Sequence, residues 1–142
     1  MAEGDIVVYN RFKEQCLIGN IDLSSDELRI TLHNGYTPDV DHDTWGDVSG
    51  TEYTTYGGYT QNGQGLSGTS VALDDANDRA SFDALDITWS SLDLSGTTPS
   101  DAICRDVTDS DYLAFYVELG VTATNGGDYT IQWHADGIFL LS

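Results

Sequence analysis

The densest group of potential metal ligands is the stretch 39–43, which reads Asp-Val-Asp-His-Asp. Carboxylates at alternate positions can present oxygen atoms to a calcium ion. The stretch departs from an EF-hand loop, because Thr44 stands where that loop has its turn glycine and Gly50 where it has its bidentate glutamate. The pattern therefore favours a solvated acidic loop. The candidate ligands of a structural cation are Asp39, Asp41 and Asp43.

Other catalytic patterns are missing from the sequence. The three histidines share no metal-ligand spacing such as His-x-x-x-His, and no serine lies in a Gly-x-Ser-x-Gly elbow. The glycine pair 57–58 lacks the following lysine of a phosphate loop. We therefore expect no enzyme and no cofactor. Two carboxylates of the glycosidase type meet only in the fold, so a carbohydrate-active hydrolase stays as a third alternative.

The two cysteines, Cys16 and Cys104, are too few to define a disulfide framework. In a cytoplasm, two buried thiols are the expected state. The N-terminus, Met-Ala-Glu-Gly-Asp, lacks the basic and apolar regions of a secretory signal. We accordingly expect synthesis and assembly in a cytoplasm.

Charge is the strongest compositional feature. The chain carries 24 acidic and 5 basic residues, a net charge of -19, and its only lysine is Lys13. Such a field destabilises a compact chain at ordinary ionic strength. Molar salt shortens the Debye length to about 3 Å and removes most of that repulsion. The composition therefore predicts a protein adapted to very high salt; the alternative is an acidic protein that binds a basic partner.

The same charge argues against two classes of partner. Nucleic acid binding needs clustered Lys and Arg, and the four arginines are far apart in the sequence. An anionic membrane surface would repel the chain, and no apolar run approaches the ~20 residues that span a bilayer. We expect neither nucleic acid nor membrane as a partner.

The hydrophobic pattern predicts one β-rich domain over residues 1–142. Asn10 is a candidate cap for a short helix over 11–18, with Phe12, Cys16 and an adjoining leucine or isoleucine on its buried side. Leu-Arg-Ile-Thr-Leu at 28–32 alternates like a half-buried strand. Acidic turn residues at 74–79 join two segments into a hairpin. Strands are predicted at 6–9, 28–32, 69–73, 80–85, 87–89, 102–107, 113–119, 129–133 and 138–141.

This order predicts an all-β fold: an antiparallel β-sandwich or small barrel of about eight short strands, with one short N-terminal helix. No alternation of strands with long helices favours a doubly wound α/β fold.

The segment near 50–68 is rich in glycine, threonine and tyrosine. Six glycines are too many for a regular strand and predict an extended loop or arm. Tyrosine buries a large area at low entropic cost and suits interfaces. The segment is either a contact arm on a neighbouring subunit or a loop packed on its own domain. The interface candidates are Tyr53, Tyr56, Tyr59 and Trp45.

Three separated stretches carry a resemblance to known proteins. The first comprises Tyr-Asn-Arg-Phe-Lys-Glu-Gln at 9–15, with 28–32 and Gly-Tyr-Thr-Pro-Asp-Val-Asp at 35–41. The second is Asp-Asp-Ala-Asn-Asp-Arg-Ala-Ser-Phe-Asp-Ala at 74–84 with Ile-Thr-Trp at 87–89. The third is Asn-Gly-Gly-Asp-Tyr-Thr-Ile-Gln-Trp at 125–133 with Asp-Gly-Ile at 136–138. In order and spacing they resemble the small β-rich virion structural proteins of tailed viruses, in a version like that of halophilic archaeal viruses.

The resemblance implies a virion component and brings no catalytic residue. It favours a capsid decoration protein on the outer surface of the head lattice, with the major capsid protein or other virion proteins as partners. A homo-oligomer, such as a trimer at a lattice threefold position, is a hypothesis from architecture. The alternative is a tail, fibre or baseplate component that contacts host surface glycans through aromatic side chains.

Overall fold

The computed structural model describes residues 4–120 and 124–142. These residues form one α-helix and ten strands, and every strand pairing is antiparallel, which confirms the all-β fold class. The helix α1 spans Asn10–Leu17. The strands are β1 (Ile6–Val8), β2 (Leu28–His33), β3 (Gln64–Gly65), β4 (Ser70–Asp74), β5 (Arg79–Asp83), β6 (Ile87–Leu92), β7 (Asp101–Asp106), β8 (Tyr112–Glu118), β9 (Gly127–Ile131) and β10 (Phe139–Leu141).

A five-stranded sheet in the order β1-β8-β7-β2-β3 forms the centre of the fold. Its middle strands are buried on both faces: all six residues of β7 are buried, as are Leu113 to Val117 of β8. Near-continuous apolar runs such as Leu-Ala-Phe-Tyr-Val are typical of strands covered on both sides. The sheet therefore needs a covering layer on each face.

The first covering layer makes the fold sandwich-like. Ile30, Cys104 and Phe115 are cross-strand neighbours and share one face of the sheet. The ring of Phe115 contacts Trp133 and Phe139, each with centroids 6.1 Å away. Phe139 belongs to a three-stranded sheet in the order β10-β5-β4. Strands β6 and β9 form a separate two-stranded sheet.

Loop residues cover the opposite face. Ile103 and Tyr116 are paired on this face, and the Tyr116 ring contacts Tyr9 at 5.4 Å and Tyr36 at 6.0 Å between centroids. The Tyr9 and Tyr36 hydroxyl groups are hydrogen-bonded at 2.8 Å. Burial raises the pKa of Tyr9 far above its ordinary value, so this hydroxyl stays protonated.

The helix begins and ends one residue earlier than the predicted range of 11–18, and its contacts also differ. Asn10 does not cap it; its side-chain amide donates to Asp41 instead. Phe12 and Gln15 are buried, whereas Leu17 is 86% exposed. The prediction that an apolar residue at the helix C-terminus completes the buried side is therefore wrong, because this end of α1 extends past its packing partners.

The glycine-rich segment is packed on its own domain. A Cβ atom at Gly57 would lie 1.8 Å from the Asp93 carbonyl oxygen, and one at Gly63 would lie 1.9 Å from that of Ile30. Both glycines have positive φ angles, 51° and 65°. Only glycine allows this close backbone approach, so the segment is packed on its own domain at these two points. The role of the segment as a contact arm on a neighbouring subunit stays a prediction.

Both thiols are free. Cys104 is fully buried and Cys16 is half-buried against the core. Burial, followed by the negative charges of Asp106 and Asp26, raises the pKa of Cys16 to about 11. The expectation of two unpaired thiols is confirmed, although that of Cys16 is only partly covered.

Candidate functional site

An open apolar groove lies between α1 and the three-stranded sheet. Cross-strand pairing places two rows of side chains on the sheet surface that faces the groove: Val71, Phe82 and Phe139 in one row, and Leu73, Ala80 and Leu141 in the next. These side chains are apolar throughout. Such a face normally packs against another element of the core.

Burial along this face changes abruptly. Phe82 is 2% exposed, because the Phe139 ring packs on it at 5.1 Å between centroids. One pairing further along, Leu73 and Leu141 are each 75% exposed, and at the edge Val71 is 55% exposed. The inner face of the sheet thus continues beyond the part that the rest of the domain covers.

The helix supplies the opposite wall. Phe12 reaches the sheet, with its ring 6.1 Å from that of Phe139, while Leu17 stands almost free in solvent. The space between the two walls is about 440 Å³. We call it the apolar groove. It is lined by Val8, Phe12, Lys13, Cys16, Leu17, Leu23, Val71, Ala80, Ser81, Phe82, Phe139, Leu140 and Leu141.

The edge of the sheet at the groove is also open. β4 is the outer strand and pairs only with β5 among the described strands. Four of its five residues are exposed. An outer strand with apolar side chains is a template for pairing with another chain, which is why proteins usually protect such edges with charges or proline. Here the protection is confined to the hairpin end, where Asp74 pairs with Arg79 at 2.9 Å.

Charge is nearly excluded from the groove. Its one charged lining residue is Lys13, whose ammonium group donates to the Asn10 side chain at 3.1 Å. None of the 24 acidic residues of the chain lines the groove. The groove can bind an apolar segment without burying a carboxylate, which would be costly.

The predicted aromatic interface residues do not form one surface. Tyr59 is 1% exposed; its hydroxyl donates to Glu52 and accepts from the Leu32 amide, so its side chain belongs to the core of the domain. Tyr53 is half-buried against the Tyr59 ring. Tyr56 is exposed, at 58%. An interface role for Tyr53 and Tyr56 stays a prediction.

Trp45 is engaged inside the domain. The Arg105 guanidinium lies 3.8 Å from the centroid of the indole ring, and the His33 ring packs edge-on at 5.7 Å. Cation–π stacking of this kind holds both side chains in place. The face of Trp45 that stacks on Arg105 is not free for a sugar or a partner.

The three predicted cation ligands bind different groups. Asp39 accepts from the backbone amide of Asp41, and Asp41 accepts from the Asn10 amide. Asp43 pairs with Arg11 at 3.2 Å. Among the described residues, the one carboxylate group with ligand spacing lies elsewhere, at Asp26, Asp106 and Asp109.

No family model matches this chain, and neither the curated proteins nor the solved structures yield a match. Within residues 4–120 and 124–142, no helix combines the length and apolar composition needed to cross a bilayer. The exposed apolar groove is therefore the feature of the structure that best indicates a function.

Sequence reasoning did not find the groove. The hairpin at 69–85 was predicted, yet nothing in Ser-Val-Ala-Leu-Asp indicates that the apolar side of β4 lacks a cover. The available signal was the adjacent pair Leu17-Ile18 before Gly19, because a short helix cannot bury both residues on one side. In the structure they are 86% and 62% exposed.

Proposed function

We propose that this chain is a non-enzymatic structural subunit of a virus particle, and more specifically a capsid decoration protein of a tailed virus adapted to high salt. The observation that supports the proposal best is the apolar groove with its open strand edge. Exposed contiguous apolar surface on a small protein marks a contact site. The resemblance of the three sequence stretches to tailed-virus structural proteins gives that contact its setting.

The physical setting favours an apolar contact. In molar salt, the Debye length falls to about 3 Å, so charge attraction cannot guide or hold a partner over distance. Apolar burial is strengthened under such conditions when the salt is excluded from protein surfaces. Full burial of one leucine or valine side chain contributes about 1.5–3 kcal/mol. Leu17, Val71 and Leu141, which line the groove and are exposed, together are therefore a hot spot for association.

The proposed occupant of the groove is an apolar segment of the major capsid protein. A strand of that segment can pair with the free edge of β4, and its side chains then enter the groove beside Val71. Each copy of the lattice would present the same segment, so one groove per chain gives repeated binding across the capsid.

The test is the stoichiometry of this chain in purified particles, measured by quantitative protein staining against the major capsid protein. A simple lattice ratio is expected. A few copies per particle would contradict a decoration role and would favour the tail or baseplate alternative.

A pair of variants tests the groove itself. Leu141→Ser is expected to reduce binding to particles that lack this chain by at least about tenfold, because Leu141 lines the groove, is 75% exposed in the free chain and would be buried in the contact. Leu85→Ser is the matched control, since Leu85 is also exposed, at 63%, but does not line the groove. Equal binding by both variants would exclude the groove as the contact site.

A further inference from the structure

Three carboxylates meet at one end of the central sheet, the end at which β7 finishes with Asp106. Asp26 precedes β2, Asp106 is the last residue of β7, and Asp109 lies in the turn that leads into β8. One oxygen of each side chain lies within 4.8 Å of an oxygen of both others. None of the three residues belongs to the acidic stretch at 39–43.

Asp106 is the unusual member of this group. It is 0% exposed, and its Oδ1 atom accepts hydrogen bonds from the backbone amides of Thr108 and Asp109, at 2.8 and 3.1 Å. Its Oδ2 atom is buried and has no hydrogen-bond donor. Its carboxylate faces Asp26, close enough for the two to share a proton when one is protonated. A buried carboxylate oxygen without a donor carries a large desolvation cost.

Protein cations do not offset this charge. Among the ion pairs of residues 4–120 and 124–142, none involves Asp26, Asp106 or Asp109. Burial raises the pKa of Asp106 to about 6, and the nearby Asp26 carboxyl adds to the increase. The hydrogen bonds from the two backbone amides oppose it. At neutral pH and above, the group therefore holds closely spaced negative charge that needs a counter-charge.

We propose that Asp26, Asp106 and Asp109 bind a hard divalent cation, with calcium as the preferred ion. Carboxylate oxygens are the ligands that calcium and magnesium take in proteins. Three ligands from two loops do not impose an ideal octahedron, and calcium accepts such irregular sets, with water completing its shell, better than magnesium does. The Asp106 Oδ2 atom supplies the buried ligand.

The site would fasten one wall of the groove. The Asp26 carboxylate also accepts from the backbone amide of Asp22, which closes the loop that carries Leu23. Leu23 lines the groove. The cation would join this loop to the β7–β8 turn, which contacts it already through the bond from the Glu27 amide to the Thr108 hydroxyl at 2.8 Å.

The experiment uses the full chain, freed of metal with a chelator and dialysed into molar KCl at about pH 8, above the Asp106 pKa of about 6. Calcium and magnesium chloride are titrated separately by calorimetry, and the unfolding temperature is followed with each ion. Calcium is expected to bind with a dissociation constant on the order of 10⁻⁴–10⁻³ M and to raise the unfolding temperature.

Two variants and a control complete the test. Asp106→Asn keeps an oxygen for the two amide donors, and Asp109→Asn alters only the turn; each is expected to weaken calcium binding at least about tenfold. Asp75→Asn removes one exposed charge from the β4–β5 hairpin and is expected to leave binding unchanged.

Three results would overturn the proposal. The parent chain could show neither heat of binding nor a shift in unfolding temperature with about 10 mM calcium, a concentration well above the dissociation constant expected for such sites. A proton shared by Asp26 and Asp106 would then neutralise the charge. Asp106→Asn and Asp109→Asn could both bind calcium as tightly as the parent and the Asp75→Asn control do. Magnesium could bind as tightly as calcium, which would overturn the choice of ion.

Discussion

The five-stranded sheet and the three-stranded sheet use the same antiparallel pairing but end in opposite environments. Every residue of β7 is buried, whereas no residue of β4 is. Both strands carry apolar side chains, so the difference comes from what covers them. The central sheet is closed by a loop layer and a sheet layer, and β4 extends past both. The first sheet stabilises the fold, and the second leaves apolar area exposed.

The largest expected effect comes from Phe115, at the centre of the closed sheet. Phe115→Ala should lower the free energy of unfolding by about 3–5 kcal/mol, because it leaves a cavity under Trp133 and Phe139. Chemical denaturation in molar salt measures the change. Leu73→Ala is the comparison, with an expected change within about 0.5 kcal/mol; similar losses for the two would contradict the division between the sheets.

A buried histidine should make the closed sheet sensitive to acid. His33 is fully buried between the hydroxyl groups of Thr31 and Thr51, and burial lowers its pKa to about 3. In the unfolded chain this histidine takes up a proton near pH 6.5. His33 therefore does not reduce the free energy of unfolding above that pH, and it lowers this free energy as the pH drops towards 3. The loss expected between about pH 6.5 and 5 is about 2 kcal/mol.

The His33→Gln variant isolates this effect. Glutamine does not titrate, so the slope of unfolding free energy against pH should flatten even if the variant is less stable overall. An unchanged slope would show that another group causes the acid sensitivity.

Asp106 should produce the opposite slope. Its pKa is raised to about 6, so the folded chain binds a proton that the unfolded chain releases near pH 4. The contribution of Asp106 to the free energy of unfolding is therefore greatest below about pH 4. It falls as the pH rises to 6, by on the order of 1–2 kcal/mol in metal-free buffer. Asp106→Asn should remove this loss, and comparison of its pH profile with that of the parent measures it.

The smallest effect on stability is expected at the groove. Leu17→Ser should change the free energy of unfolding by no more than about 0.5 kcal/mol, because Leu17 is 86% exposed. Its binding to particles should nevertheless weaken. A large loss of stability would mean that the helix end contributes to the fold and is not reserved for contact.

The local elements could be predicted from sequence because their signals are local. Alternation at 28–32 predicted inward Leu28, Ile30 and Leu32, and all three are buried. The same alternation placed Thr31 outward, yet it is buried too, because a loop covers the second face of the sheet. No periodicity within a strand reports such a cover.

The candidate sites depended on distant parts of the chain. Tyr53, Tyr56 and Tyr59 have equal spacing, but Tyr59 is buried because glycines let its loop approach β2 and the Asp93 backbone. Asp106 lies far along the chain from Asp26, and only strand pairing between β2 and β7 brings the two loops together. The densest acidic cluster in the sequence proved to be a set of unrelated hydrogen bonds.

The sequence by itself determined most of the strands, the hairpin, the helix and the extreme negative charge, because each depends on neighbouring residues or on simple composition. Tertiary structure alone decided which apolar side chains remain uncovered and which carboxylates come together. Burial and proximity are properties of the packed chain, and a sum of local preferences contains neither.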